Sequence, residues 1–251
     1  MRIINFGSGS KGNSTLILGN ENILIDVGFS YPKMKMAFEE YNLDPNIVDA
    51  ILITHTHKDH VIGLSTFVKK TNAKVYANEI LSKELSKTIP EEMLMIIPEE
   101  FNIGDFDINY FRTSHDSAGS VGFIIKENGK ELVYVTDTGY IKKDNLVKLV
   151  NKDIYIMESN HDIEMLMNGP YPYILKQRVY SDSGHLSNKM TSDYLNELIG
   201  DKTKIIALAH LSETNNTKEL ALSTITENVT LNNINLLALE QDYSTDLGEI
   251  W

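Results

Sequence analysis

Apolar residues recur along this chain in short runs that end in Gly, Asn, Asp or Ser. Runs of this kind are typical of buried β-strands separated by turns. Asn128-Gly129, between two such runs, predicts a tight hairpin turn. The pattern predicts strands over residues 2–7, 14–19, 22–27, 49–54, 73–77, 93–97, 106–113, 120–126, 131–136, 153–157, 204–209 and 234–240.

Segments with helical spacing lie between these strands. The first covers residues 32–41, with Pro32 at its start and Ser30 placed to cap it. The other helices are predicted over residues 62–71, 78–88, 142–150, 186–199 and 215–228. Strands outnumber what one parallel sheet would use, so we expect an α/β fold in which two mixed β-sheets pack together with helices on the outside, a four-layer αβ/βα sandwich. No linker or repeat interrupts the chain, which predicts a single domain over residues 1–251.

Composition narrows the classes of protein. The chain has 251 residues, of which 42% are hydrophobic and 23% charged, as is ordinary for a soluble globular protein. It contains no cysteine, which excludes disulfides and thiolate metal sites. No signal peptide precedes Arg2 and no apolar run approaches the ~18 residues of a membrane span, so we expect a cytoplasmic location without membrane contact. The net charge of −12 repels nucleic acid at long range and counts against a nuclease.

The segment His55–His60, with the sequence HTHKDH, is the strongest chemical signal in the chain. It holds three of the seven histidines and one carboxylate, the ligand types that Zn²⁺, Mn²⁺ or Fe²⁺ prefer. A strand is predicted before it and a helix after it, so we expect its side chains on a strand-to-helix loop. A metal site is therefore predicted here.

Other polar residues also follow predicted strands. Asp26, His115, Asp137 and His210 each stand where an apolar run gives way to turn residues. Polar residues repeated at strand ends indicate one shared edge at which loops converge on a site.

In these motifs the chain resembles the metallo-β-lactamase-fold hydrolases, and the resemblance covers most of its length. It implies two divalent metal ions. All the implied ligand atoms are nitrogen or oxygen, so the sequence does not decide between Zn²⁺, Mn²⁺ and Fe²⁺. Asp26 would orient a histidine ligand from behind, and Asp137 would bridge the two ions. The implied ligands are His55, His57 and His115 for the first ion, and Asp59, His60 and His210 for the second.

Charge counting indicates what such a centre can do. Two divalent ions and the carboxylates of Asp59 and Asp137 leave a local charge near +2, which attracts a phosphate although the whole chain is acidic. The resemblance implies a metal-bridging hydroxide as the nucleophile. The acidity of the chain therefore weakens a nuclease interpretation without excluding it.

Residues beyond Asp137 indicate the branch of the fold. Glu158 and His185 occupy places that resemble those of an acidic residue and a histidine in tRNase Z and the β-CASP nucleases. The β-CASP insertion is absent, since only about twenty residues separate Asp137 from Glu158. The closest resemblance is to the bacterial YycJ/WalJ type, in the segments GSGSKGN (7–13), ESNHD (158–162), NGPYP (168–172), LKQR (175–178) and HLSE (210–213).

The YycJ/WalJ resemblance implies a DNA exonuclease acting from the 5′ end, with DNA as the partner. Asp59, Glu158 and His185 would be catalytic, with His185 binding a phosphate oxygen or protonating the leaving oxygen and Glu158 holding its imidazole. Residues with the polar or aromatic character to contact substrate are Ser8, Lys11, Asn13, His161, Tyr171, Lys176 and Arg178.

Three other functions stay open at this point. A phosphodiesterase acting on cyclic or other small diesters would suit the acidic surface, and an RNA-processing nuclease of the tRNase Z type would share Glu158 and His185. A non-catalytic subunit that kept the fold is the alternative from a different class, and the intact ligand set counts against it.

Overall fold

The computed structural model describes residues 1–249 as two mixed seven-stranded β-sheets packed face to face. The first sheet has the order β14-β1-β2-β3-β4-β5-β6. Its strands are β1 (Arg2–Gly7), β2 (Ser14–Leu18), β3 (Ile23–Ile25), β4 (Ala50–Leu52), β5 (Lys74–Ala77), β6 (Leu94–Ile96) and β14 (Thr245–Glu249). The β1–β2 and β2–β3 pairs are antiparallel, whereas β3 to β6 run parallel.

The second sheet has the order β13-β12-β11-β10-β9-β8-β7. Its strands are β7 (Glu100–Ile103), β8 (Phe106–Arg112), β9 (Val121–Glu127), β10 (Lys130–Val135), β11 (Ile154–Glu158), β12 (Ile205–Ala209) and β13 (Asn235–Ala238). Strands β10 to β13 are parallel, and β7 to β10 pair antiparallel.

Helices cover the outer face of each sheet. Those in the first half of the chain are α1 (Tyr31–Glu40), α2 (Lys58–Val61), α3 (Leu64–Thr71) and α4 (Glu79–Leu85). Those in the second half are α5 (Lys143–Leu149), α6 (Ile163–Asn168), α7 (Tyr173–Tyr180), α8 (Asn188–Leu198) and α9 (Lys218–Asn228). Short 3-10 turns at Pro45–Ile47 and Glu91–Met93 complete the pattern. Of the described residues, no helix combines the length and apolar character needed to cross a bilayer.

Alternation along the strands divides the apolar residues among three cores. Ile23 and Ile25 of β3 face the space between the sheets, whereas Leu24 packs with α1 and α3 on the other side. Ile206 and Leu208 of β12 likewise face outward, against α8 and α9, and the rest of that strand faces the other sheet. A period of two on fully buried strands requires apolar layers on both faces. The predicted four-layer sandwich is thereby confirmed.

Among the elements not predicted from the sequence are two strands and two helices, and one predicted helix cap was wrong. Strands β7 and β14 were missed because both lie at sheet edges and bury few side chains. Helices α6 and α7 were missed because each buries a single residue, Leu166 or Val179, so that neither shows an apolar stripe. Ser30 stands at the N-cap of α1, but its side chain makes no capping hydrogen bond.

Three segments are joined by backbone contacts beside the predicted ligand segment. The N–H of Gly28 donates to the carbonyl of Asn13, whose own N–H donates to the carbonyl of Asp59, each at 2.9 Å. The N–H of Val27 donates to the carbonyl of His60 at 2.8 Å. Consequently the segment around His60 is held in place by the residues just before β2 and just after β3.

Substituting Gly28 tests how tightly these segments pack. A Cβ atom at residue 28 would lie 1.8 Å from the Asp59 carbonyl oxygen and 2.4 Å from the Asn13 nitrogen, and neither backbone atom can rotate away. We expect Gly28→Ala to lower the free energy of unfolding by about 3 kcal/mol, the upper end for overpacking. Urea denaturation followed by circular dichroism measures the change.

Gly129→Ala is the matched control. Its Cβ would meet no atom of residues 1–249 within 4 Å, so only the positive φ of +78° opposes the substitution, at about 1–2 kcal/mol. A Gly28→Ala protein no less stable than the Gly129→Ala protein would show that the three segments can separate freely.

Candidate metal centre

The candidate residues meet at the carboxyl ends of strands in both sheets. Asp26 directly follows β3, Asp137 follows β10 by two residues, His210 directly follows β12, and Glu158 is the last residue of β11. The backbone of the first three lies in the left-handed region, with φ of 59°, 55° and 56°. Polar residues held in this conformation after a strand are turned out of the sheet, and such strained positions concentrate at functional sites.

The segment His55–His60 differs from the predicted loop in one respect. His55 and His57 do lie in a loop after β4, but α2 begins at Lys58 and therefore includes Asp59 and His60. The N–H of His60 donates to the His57 carbonyl at 2.9 Å, which closes the first turn. The helix predicted over residues 62–71 corresponds to α3, whereas α2 is a separate short helix that was not predicted, because polar residues fill most of its single turn and show no apolar period.

Metal-binding side chains from distant parts of the sequence are brought within reach of one another. In each of four groups, one donor atom per residue lies within 4.8 Å of all the others. These groups are His55/His57/His115, Asp59/His60/His210, His55/His60/Asp137 and Asp137/Glu158/His185/His210.

His60 is fixed from behind by Asp26. The Nδ1 of His60 lies 2.7 Å from Asp26 Oδ2, and both side chains are fully buried. Thr54 donates to the two oxygens of Asp26, from its backbone N–H at 2.9 Å and from its hydroxyl at 2.7 Å. With Nδ1 bonded to the carboxylate, Nε2 of His60 faces Asp137 Oδ2 at 3.2 Å.

His115 is oriented by a backbone carbonyl. Its Nδ1 lies 3.2 Å from the Gly184 carbonyl oxygen, an acceptor, so this nitrogen carries the proton and Nε2 presents a lone pair. That Nε2 lies 3.2 Å from His57 Nδ1 and 3.7 Å from Asp137 Oδ1. Two imidazole nitrogens and a carboxylate oxygen therefore converge here.

Glu158 holds two histidines at once. Its carboxylate is fully buried, and Oε1 lies 2.7 Å from His185 Nδ1 and 3.1 Å from His210 Nδ1. Oε2 accepts from the backbone N–H groups of Thr138 at 3.0 Å and Leu186 at 3.1 Å. Burial opposes ionisation of this carboxyl, but its imidazole neighbours outweigh burial and lower its pKa to about 2. Glu158 is thus an anion surrounded by donors.

The electrostatic field of the site favours positive charge. Burial lowers the pKa of His60, yet the carboxylates of Asp137 and Asp26 raise it to about 10. Burial also works against the charged form of Asp137, whose pKa is nevertheless held well below its usual value by His210 and His60. Carboxylates that stabilise charged imidazoles would stabilise a cation in the same place.

Two buried atoms without partners indicate that the donor set fits metal ions. His55 Nε2 has no hydrogen-bond partner among the described residues, and burial depresses the pKa of this imidazole well below its usual value, which leaves a free lone pair. Asp137 Oδ2 lies close to His60 Nε2 but without the alignment of a hydrogen bond. Buried polar atoms are rarely left unsatisfied, and a metal ion satisfies a lone pair of this kind.

The donors open into a cleft of about 230 Å³. Its wall includes His57, Asp59, His115, Asp137, His185 and His210. Ser10, Asn160, Ser212 and Asn215 also line it, although sequence reasoning did not select them. Ser10, Asn160 and Ser212 belong to the segments in which the chain resembles the YycJ/WalJ type, and that resemblance was the one signal that could have selected them.

Some predicted substrate contacts lie inside the protein instead. Ser8 and Asn13 are buried, and the Ser8 hydroxyl accepts from the His210 N–H at 2.8 Å and donates to Asn13 Oδ1 at 3.2 Å. Lys11 is exposed and paired with Glu213 at 2.7 Å. Ser8 and Asn13 were predicted to contact substrate, but the Ser8 hydroxyl stabilises the turn after β12. The Asn13 amide donates to the Gly9 carbonyl at 2.9 Å and lies 3.0 Å from His60 Nε2.

His161 is also buried and does not line the cleft. Neither of its ring nitrogens has a hydrogen-bond partner within residues 1–249, and burial lowers its pKa to about 4. It is therefore a neutral imidazole packed beside Tyr180, with ring centroids 6.3 Å apart.

Tyr171 and Arg178 do reach the cleft, whereas Lys176 donates to the Met167 carbonyl at 2.7 Å. Arg178 Nε donates to Asp116 Oδ2 at 2.7 Å, and Asp116 Oδ1 lies 3.4 Å from His57 Nε2. Partial burial opposes ionisation of Asp116, but the bond from Arg178 lowers its pKa. Sequence reasoning missed Asp116, whose one signal was its position directly after His115.

Comparison with known proteins agrees with this geometry. Residues 21–208 match the family model described as the Beta-lactamase superfamily domain. The protein named exodeoxyribonuclease WalJ from Streptococcus pneumoniae is 39% identical over 227 residues, which cover 87% of this chain and 84% of that protein. The one named exodeoxyribonuclease YycJ from Bacillus anthracis is 36% identical over 226 residues, covering 88% and 86%.

A solved structure agrees in fold alone. The metallo-beta-lactamase fold protein YhfI from Bacillus subtilis superposes with a TM-score of 0.76 at 15% identity, over 97% of this chain and 98% of that one. Sequence and structure therefore agree, and the chain belongs to the beta-lactamase superfamily, in the group that includes WalJ and YycJ.

Proposed function

We propose that this protein is a two-metal phosphodiesterase that degrades DNA from the 5′ end. The observation that carries the proposal is the buried Glu158 carboxylate, which holds His185 and His210 beside two groups of three metal-binding side chains. The names of the WalJ and YycJ relatives support DNA as the substrate. We further propose that residues 1–251 act as a single domain in the cytoplasm, without a β-CASP insertion.

The metal-binding roles are proposed for each residue by group. One ion would be held by His55, His57 and His115, the other by Asp59, His60 and His210, with Asp137 between them and Asp26 orienting His60. Bound Zn²⁺, Mn²⁺ or Fe²⁺ would supply Lewis-acid chemistry and a lower pKa for water. All donors are nitrogen or oxygen atoms, so each of these ions suits the site.

The side chains around the centre have separate tasks. His185 is partly exposed at the cleft, and with Nδ1 bonded to Glu158 its Nε2 is free to donate to a phosphate oxygen or to the leaving oxygen. Glu158 keeps that tautomer, because its carboxylate accepts the Nδ1 proton. Removal of His185 should therefore slow turnover more than it weakens metal binding.

One experiment tests the proposed function directly. The Mn²⁺- and Zn²⁺-loaded protein is incubated with 5′-phosphorylated single- and double-stranded DNA, with RNA and with bis(p-nitrophenyl) phosphate. We expect early release of a label at the 5′-terminal nucleotide, a slow loss of a 3′ label, and no activity in Asp59→Ala, which lacks one proposed ligand.

The other outcomes separate the alternatives. Activity on the small diester alone would replace the DNA proposal by a phosphodiesterase of small molecules, which the net charge of −12 favours. Preference for RNA would indicate a nuclease of the tRNase Z type. Fewer than one metal ion per chain after gentle purification would favour a non-catalytic protein.

A further inference from the structure

Helix α7 exposes large apolar and aromatic side chains beside the cleft. Tyr173 is 72% exposed, Ile174 is 82% exposed and Tyr180 is 51% exposed, while Tyr171 lies at the cleft itself. We call Tyr171, Tyr173, Ile174 and Arg178 the α7 surface. Adjacent exposed residues of this type mark a binding surface more often than isolated ones do.

The charge of this segment is opposite to that of the whole protein. Residues 171–180 contain Lys176 and Arg178 and no carboxylate, although the chain carries a net charge of −12. A cationic segment with aromatic residues provides phosphate contacts and stacking platforms for bases, the two features by which proteins hold single strands. An acidic or purely apolar protein partner would not require both features.

Asp116 connects the α7 surface to the metal centre. One oxygen of Asp116 accepts from Arg178 Nε, and the other lies 3.4 Å from His57 Nε2 and 3.5 Å from His115 Nε2. Because Nε is the anchored atom, the terminal NH₂ groups of the half-exposed Arg178 side chain remain available at the rim of the cleft. A phosphate bound there would neighbour the one at the metal centre.

The end of α7 is also fixed relative to His115 and His185, which line the cleft. The N–H of His185 donates to the Val179 carbonyl at 2.9 Å, and a Cβ at Gly184 would lie 2.2 Å from that carbonyl oxygen. The same Gly184 accepts from His115 Nδ1. Helix α7 therefore cannot shift without disturbing His115 and His185.

We propose that the α7 surface is the platform for a single strand of nucleic acid, with Arg178 binding the phosphate next to the scissile one and Tyr171 and Tyr173 stacking on the following bases. The proposal rests on the proposed function and specifies its substrate as a single-stranded end that lies along α7. Asp116 acts as a positioning residue for Arg178.

Two substrates of different length test the platform. For a 5′-phosphorylated single-stranded DNA, Tyr173→Ser should raise KM about tenfold, the effect of one lost base–aromatic contact. Arg178→Gln should raise KM similarly and make the slope of log KM against log salt concentration shallower by about 0.7, the value for one lost phosphate contact on a single strand. Arg178→Lys should recover part of this loss. The increase in KM that each variant causes should be at least several-fold larger for the single-stranded DNA than for bis(p-nitrophenyl) phosphate.

Lys202→Gln provides the matched control. Lys202 is an exposed cation before β12, at the opposite end of that strand from His210, so its removal should change neither KM nor the salt slope. Equal KM and salt slope in wild type, Tyr173→Ser and Arg178→Gln would overturn the platform while leaving the nuclease proposal intact. A wild-type protein that cleaves neither substrate would instead overturn the proposed function itself.

Discussion

Asp137→Asn should abolish most of the activity and reduce the metal content from about two ions per chain to one or fewer. Asp137 lies between two groups of metal-binding side chains, and its Oδ2 has no hydrogen bond from any described residue. The amide keeps the size of the side chain and removes the negative charge that would stabilise the two proposed metal ions. We expect kcat on bis(p-nitrophenyl) phosphate to fall by more than the ~100-fold that substitutions behind the ligands produce.

Asparagine is chosen so that the substitution does not strain the backbone at residue 137. Asp137 has φ of 55°, a conformation that Asn adopts at least as readily as Asp and that is costly for Ala. Metal content is measured by mass spectrometry after gel filtration, and folding by far-ultraviolet circular dichroism. Asp144→Asn makes the same chemical change on the exposed first turn of α5 and should alter neither quantity. An Asp137→Asn protein with two ions and the wild-type rate would exclude Asp137 as a bridging ligand.

Strand ends were the part of this site that the sequence could predict. Asp26, Asp137 and His210 each follow an apolar run. Asp137 and His210 follow β10 and β12, parallel strands of one sheet whose ends share an edge, whereas Asp26 follows β3 of the other sheet. The left-handed backbone at these residues was not predictable, because it depends on partners far along the chain. The His210 N–H, for example, donates to Ser8 Oγ, which lies 202 residues away in sequence.

The same limit explains why Ser8 and Asn13 lie inside the protein, and why Glu158 makes a second contact besides the predicted one to His185. A glycine-rich loop with a hydroxyl and an amide suits phosphate binding or internal hydrogen bonding equally, and only the packing of β1 against the turn after β12 decides between them. Glu158 was paired with His185 alone. Its second contact, to His210, arises because β11 and β12 are parallel neighbours with Glu158 opposite Ala209.

Glu158→Gln is expected to impair both histidines, because all four partners of this carboxylate are donors. Two are backbone N–H groups on Oε2, and two are the Nδ1 atoms of His185 and His210 on Oε1. A carboxamide must turn its NH₂ toward one of these pairs. The backbone N–H groups can only donate, so the carboxamide oxygen should stay with them and its NH₂ should face the two imidazoles. Each imidazole would then accept at Nδ1 and carry its proton on Nε2. A wrong tautomer costs up to about 10⁴-fold in kcat at catalytic histidines, and we expect about 10²- to 10⁴-fold here.

Comparison with His185→Ala separates the two roles of Glu158. His185→Ala should lose turnover and keep both ions, whereas Glu158→Gln should also lose about one ion, since a proton on His210 Nε2 occupies the lone pair that faces Asp59 at 3.5 Å. In the double variant, adding His185→Ala to Glu158→Gln should reduce kcat by less than about threefold, because residues that act as a unit are not additive. Full metal content and near wild-type kcat in Glu158→Gln would mean that the buried carboxylate only supports the fold. Full metal content with a reduced kcat would instead mean that Glu158 acts through His185 alone.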